Sequence, residues 1–414
     1  MPADMPSIFP SGLYSIVLTA FLALFPTIAH SVTLESDSAV LSLLKRSIDP
    51  NTIPISSFLD TWNLSADPCE STSQFLGILC TYPEEESRQR IVAIDLDSFG
   101  YDGVLTQSIG NLTELTTLNL GRNKFRGPIP DSISGLRKLT TLSMSGNFLS
   151  GSIPRGITML KKLESVDLSY NTLSGSIPAK LSGLRRLIHL RLSHNELSGR
   201  IPDLTASWQL DTLELDNNQL YGNLPNFPAS LRTLSLSHNT LSGHITPIGK
   251  LKNLKLLDLS NNRLTGSIRQ QILKLSQVVH INVSMNLFTG IEVAKFVGIE
   301  THLQDFDAHG NMIRSRLPAN LVTVSNLTSV NLARNDFTGP IPREYGVKVV
   351  NSWKSLFLDH NFLTGDLPQE FSNASIRMKG SLANNCLRCP TNVTLCLGGQ
   401  RSTSECVGLN DGSE

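Results

Sequence analysis

The residues equipped to do chemistry gather in one stretch of this 414-residue chain: His189, Arg191, His194, Glu214 and Asp216, with Tyr170 before them and His238 after. Pairs of Asp and Glu are the raw material of a glycosidase-type acid–base dyad. The usual companions of catalysis are missing, because the chain has no Gly-rich phosphate loop, no kinase signature and no Gly-x-Ser-x-Gly elbow. Tyr and Arg are also the side chains that tend to anchor binding interfaces. The choice between catalysis and recognition therefore rests on the kind of surface that carries these residues.

A second reactive set sits at the two ends. Cys69 and Cys80 lie early in the chain, and Cys386, Cys389, Cys396 and Cys406 lie late. An even count confined to the flanks points to disulfide-closed ends in an oxidising compartment. Cys386-Leu-Arg-Cys389 also has metal-ligand spacing, so a zinc site is the competing reading. The four late cysteines permit three pairings. Export is further suggested by the apolar run at 13–25, followed by the small residues of Ala29-His30-Ser31. That run reads as a signal peptide over 1–31, with a signal anchor as the alternative, since a basic leading segment is missing. No later apolar run reaches 18 residues, so no transmembrane segment is expected after it. Six Asn-x-Ser/Thr acceptor patterns start at Asn63, Asn111, Asn282, Asn326, Asn373 and Asn392, which fits a glycosylated extracellular protein.

Between the cysteines the chain repeats itself. LTTLNLGRNKFRGPIP at 115–130 returns at 139–154, 163–178 and 187–202 with small changes. Its Asn recurs at 123, 147, 171, 195, 218, 239, 262, 286, 311, 335 and 361, in steps of 21 to 26 residues. An earlier copy at 91–103 has Phe99 in that place, which makes twelve units over 91–372. In each Leu-x-Leu the leucines alternate with polar residues, as in a short strand with one face buried. One unit cannot bury its apolar side alone, and stacking produces a continuous core. The Asn amide is placed to satisfy backbone groups of neighbouring turns. Gly127, Gly151, Gly175 and Gly199 permit a tight bend, and the Ile-Pro after them ends strand pairing.

This pattern resembles the plant-specific leucine-rich repeat, L-x-x-L-x-L-x-x-N-x-L-x-G-x-I-P, found in receptor-like kinases, receptor-like proteins and polygalacturonase-inhibiting proteins. Residues 32–90 resemble that family's N-terminal cap. A helix is expected near 37–48, with apolar residues at 40, 41, 43, 44 and 48, followed by Trp62, Asp67-Pro68-Cys69 and Gly77-Ile78-Leu79-Cys80. Phe75-Leu76 stands where the family has a second Trp. Residues 373–414 would form a Cys-containing C-terminal cap and tail. The resemblance implies an α/β solenoid: a right-handed curved superhelix with a parallel sheet on its concave face and disulfide-closed caps.

Strand alternation then puts the residues six, four, two and one before each Asn on the concave face. Tyr170, His189, Arg191, His194, Glu214 and Asp216 become one strip across the fourth to sixth repeats, with His238 beyond it. Six of the nine histidines (189, 194, 238, 280, 309 and 360) fall at these positions. If they act together, their titration would make binding respond to a mildly acidic cell wall. Asn282 lies between Ile281 and Val283 and would carry a glycan on the concave side, directing a ligand to repeats two to seven. Asn111 and Asn326 would point away from the sheet. The array looks irregular over 241–316, where Thr246 and Arg269 replace the expected Pro and Gly290-Ile291-Glu292-Val293 loses the motif.

A shallow open sheet does not shield reacting groups from water, so a binding role is expected and no catalytic residue, metal or cofactor is assigned. Lys plus Arg and Asp plus Glu each number 35, so net charge gives no case for nucleic acid or an anionic membrane. Two functions remain. One is a receptor-like module recognising a peptide, a protein or a receptor-kinase ectodomain in development or defence. The other is an inhibitor of a microbial pectinase, a polygalacturonase. Twelve repeats and an irregular middle favour the first, because the inhibitors have about ten regular repeats.

Overall fold

The computed structural model describes residues 33–70, 74–84, 86–296, 301–372 and 378–406. The apolar run at 13–25 and the acceptor Asn373 lie outside the described residues. Among those described, no helix is long and apolar enough to cross a membrane.

Among the described residues the first helix is Glu35–Arg46. Asp37, Val40, Leu41 and Leu44 recur at helical spacing and are buried, with Ile48 just beyond the helix. Leu43 falls off that face and is 46% exposed. Behind the helix, the Trp62 and Phe75 rings stack at 6.1 Å, and Trp62 Nε1–H donates to the Leu76 carbonyl at 2.9 Å. Phe75 is thereby buried against Trp62. Cys69 and Cys80 form a disulfide beside it.

The concave sheet has fourteen strands. Its edge strand Ile78–Thr81 runs antiparallel to Arg90–Asp95 and covers the sheet's open N-terminal edge. The others are parallel and in register, from Arg90–Asp95 to Lys379–Ser381. Leu118, Leu142, Val166, Leu190 and Leu213, central in successive strands, are each at most 1% exposed. Burying one such side chain contributes roughly 1.5–3 kcal/mol.

The recurring Asn forms the expected ladder. Asn147 Oδ1 accepts the Phe125 N–H at 2.9 Å, and its Nδ2 donates to the carbonyls of Leu120, Met144 and Ser145 at 3.0, 3.1 and 3.3 Å. Asn171 and its successors repeat this geometry. The ladder continues to Asn385, whose Nδ2 donates to the Leu358, Leu382 and Ala383 carbonyls. One further coil thus extends past residue 372.

A second sheet, not foreseen from the sequence, flanks the first. Nine parallel strands run from Asp102–Val104 to Leu287–Ile291, and three more from Thr338–Gly339 to Cys386–Arg388. Most of these strands follow a ladder Asn and carry a buried Leu or Phe close to a Gly, as Leu149 does in Phe148–Ser152 and Leu173 in Thr172–Ser176. Gly127, Gly151, Gly175 and Gly199 take φ between 74° and 84°, which supplies the bend. The convex side is built of short 3-10 turns such as Asp131–Gly135 and Arg155–Met159. The expected irregularity over 241–316 is narrower than the sequence indicated. Both sheets pass through 240–291, and only the flanking sheet breaks, between Leu287–Ile291 and Thr338–Gly339.

At the C-terminal end Cys386 pairs with Cys406 and Cys389 with Cys396. This selects one of the three pairings and removes the zinc reading of Cys386 and Cys389. Arg401 lies over the Phe362 ring at 4.2 Å, and its Nε–H donates to the Asn361 carbonyl at 2.8 Å.

Candidate recognition surface on the concave face

Three neighbouring strands, Ser165–Asp167, His189–Arg191 and Thr212–Glu214, carry the centre of the strip. Their register aligns Asp167, Arg191 and Glu214 in one row across the sheet. Arg191 Nε lies 3.2 Å from Glu214 Oε2, an ion pair with both side chains about a third exposed. Burial pushes the Glu214 carboxyl above its ordinary value, Arg191 opposes this, and Asp216 and Asp167 add to it.

The next row holds the residues just before the ladder Asn. All share one backbone feature that the sequence pattern did not reveal: they are left-handed. Tyr170 and His194 both have φ 54°, and Asn217, His238 and Asn261 lie between 51° and 54°. In this conformation the side chain is lifted from the sheet toward solvent, and Tyr170 is 59% exposed. The Tyr170 and His194 rings stack at 4.2 Å with 12° between their planes. His194 Nε2 lies 3.8 Å from Asp216 Oδ2. Asp216 is held further by Ser193 Oγ–H at 2.6 Å and by Asn217 Nδ2–H at 3.0 Å.

Six of the seven candidate residues therefore fall on three adjacent coils, and five of them meet in two separate sets of contacts. Tyr170 touches His194, His194 touches Asp216, and Arg191 pairs with Glu214. His189 lies in the same strand as Arg191, and its Nδ1 is buried without a hydrogen-bond partner. His238 stands apart, meeting Asn261 Nδ2 at 3.4 Å, because Asn217 occupies the intervening coil. Sequence reading missed Asn217, which lies 3.3 Å from His194 Nε2 and joins it to Asp216. Its place one before Asn218 was the available signal.

The remaining concave histidines pair locally with aspartates. His280 Nδ1 lies 2.7 Å from Asp305 Oδ2, His309 Nδ1 2.7 Å from Asp307 Oδ1, and His360 Nδ1 2.9 Å from Asp359 Oδ2. No group of three His, Cys, Asp or Glu among the described residues is placed to hold a metal ion. Asn282 is on the concave face, with Oδ1 accepting from Ser284 N–H and Oγ–H at 3.1 and 2.7 Å. Asn63, Asn111, Asn326 and Asn392 are exposed, and Asn111 ends the convex turn Gln107–Asn111.

Comparison with known proteins agrees with this geometry. Leucine-rich-repeat family profiles match residues 90–149, 162–184, 186–208, 230–251 and 253–275. The plant peptide hormone receptor RGFR1, solved in complex with RGF2, superposes with a TM-score of 0.61 at 29% identity, over 72% of this chain and 54% of that one. The Arabidopsis receptor kinase HAESA ectodomain, solved with an extended IDA peptide hormone, gives 0.59 at 26% identity, over 86% and 66%. A plant ice-binding protein shares the fold, with a TM-score of 0.52 at 22% identity over 88% and 98%. The chain thus spans between about half and two thirds of the two receptor ectodomains. No curated protein sequence matches at a significant level.

The chain is thus a leucine-rich-repeat solenoid whose fold resembles that of plant receptor ectodomains.

Proposed function

We propose that the concave strip on the fourth to sixth repeats binds an extended extracellular peptide. The observation that carries this is the Tyr170–His194 stack standing beside Asp216. It offers a flat aromatic platform next to a carboxylate that is already oriented. Asp167, Glu214 and Asp216 outnumber the single Arg191 guanidinium, so a peptide with a basic side chain is the complementary partner. The peptide-bound state of the two receptor ectodomains named above supports a peptide over other ligands. A glycan on Asn282 would stand over the ninth repeat and leave the strip free.

Peptides selected from a displayed random library on the full chain provide the test. Selected peptides should be enriched in Lys or Arg and should be displaced by no pectin-degrading enzyme. Failure to select any peptide, together with tight binding of a polygalacturonase, would overturn this reading in favour of an inhibitor.

A further inference from the structure

The two positions where Pro is replaced, Thr246 and Arg269, face one cavity. It has a volume of about 430 Å3 and lies where the flanking strands Thr240–Gly243 and Arg263–Ile268 meet the convex turns Thr246–Lys250 and Gln270–Leu273. Ligand cavities span roughly 300–1,000 Å3, so the volume suits a small molecule. It is separate from the concave strip and independent of the reading given for that strip.

Its lining is chemically one-sided. Ile245 and Ile272, 3% and 2% exposed, form an apolar floor. Lys250 and Arg269 are exposed cations, and neither forms an ion pair among the described residues. No carboxylate lines the cavity. Ser267 and Thr246 supply hydroxyls and Gln271 an amide. The His244 ring sits against Gly266, where an added Cβ would lie 2.3 Å from Nδ1, so only glycine leaves room for the ring here. In regular repeats Pro130, Pro154 and Pro178 fill the corresponding position with a group that cannot donate a hydrogen bond.

We infer that this cavity is a binding site for an acidic sugar, a hydroxylated ring carrying one carboxylate. Lys250 and Arg269 meet the carboxylate in charge-assisted contacts. Ser267, Thr246 and Gln271 meet ring hydroxyls, and the isoleucines meet the ring's C–H face.

Titration calorimetry on the full glycosylated chain tests this with galacturonic acid, glucuronic acid, glucose, acetate and tetraglutamate. Saturable binding of a uronic acid, at least tenfold tighter than glucose and acetate, is expected. Lys250→Ala with Arg269→Pro, which restores the regular motif, should weaken it at least tenfold with thermal unfolding unchanged. Arg269→Lys should retain most of it. The site is overturned if the uronic acids bind no better than glucose or acetate, if tetraglutamate binds as well, or if the double variant binds equally. Binding of library-selected peptides to the concave strip should be unaltered in the same variant, which separates the two sites.

Discussion

Tyr170 and His194 occupy the same position in successive coils, both left-handed at φ 54°, with their rings stacked 4.2 Å apart. Left-handed backbone costs a side-chain-bearing residue roughly 1–2 kcal/mol, and least for Asn. Asn already stands there at 217, 261 and 384. A bulky aromatic at such a site is a strain that the fold itself does not require. Tyr170→Asn should therefore leave stability equal or higher by up to about 1 kcal/mol, while weakening peptide binding at least tenfold. Denaturant unfolding and a binding titration on one sample check both halves. A loss of stability matching the loss of binding would make Tyr170 structural.

The ladder makes the opposite prediction. Asn195→Ala removes three donated hydrogen bonds, to Leu168, Leu192 and Ser193. Those carbonyls keep other donors, but the Leu173 N–H loses its acceptor, Asn195 Oδ1, and a buried donor left unpaired costs about 1–3 kcal/mol. Hydrogen exchange should speed up locally in the fourth to sixth coils. Uniform exchange across all coils would show that the ladder acts globally.

The N-terminal cap depends on a buried ion pair. Arg90 Nε lies 2.9 Å from Asp37 Oδ2, and the two side chains are 6% and 0% exposed. Asp37 also accepts the Ile91 N–H at 3.1 Å. Arg90→Ala leaves that carboxylate buried and unpaired, at a cost of about 3–5 kcal/mol. Adding Asp37→Ala should recover part of the loss. A double variant no more stable than the single one would contradict this.

Cap stability should also fall in acid through Asp67. Burial pushes its carboxyl up, but hydrogen bonds from Thr33 Oγ1–H and from the N–H groups of Cys69, Thr33 and Glu70 outweigh that and hold it below its ordinary value. A depressed carboxylate contributes stability that is present above the unfolded-state pKa and disappears as pH falls through the folded-state value. Wild type should exceed Asp67→Asn in stability at pH 7, and the gap should close at and below the ordinary carboxylate range. A gap that persists in strong acid would assign the loss to packing.

How much of this was legible depends on which residues carry the signal. Leu118, Leu142 and Leu190 repeat at fixed spacing, so the coil and its inward face could be read directly. The flanking sheet could not, because Leu-Ser-Gly is too short and too polar to stand out as a strand without neighbours to pair with. The left-handed row was hidden for another reason: Tyr170, His194 and Met285 are not residue types that announce positive φ. The strip was mostly legible from alternation, which placed Arg191 opposite Glu214. Alternation gives no contact along the row of turns, so Asn217 was overlooked and His238 was grouped with residues it does not touch. Pairing of Cys386 with Cys406 depends on the path of the last coil, which spacing does not encode.

The most direct test of the recognition strip compares two sets of substitutions against the same library-selected peptide. Tyr170→Asn with Asp216→Asn alters the strip, and Asp359→Asn with His360→Asn alters a matching His–Asp pair at the far end of the concave sheet. The strip variant should lose at least tenfold in affinity by titration calorimetry, and the distant variant should keep wild-type affinity. Equal affinity in the two variants would contradict the placement of the ligand on the fourth to sixth repeats.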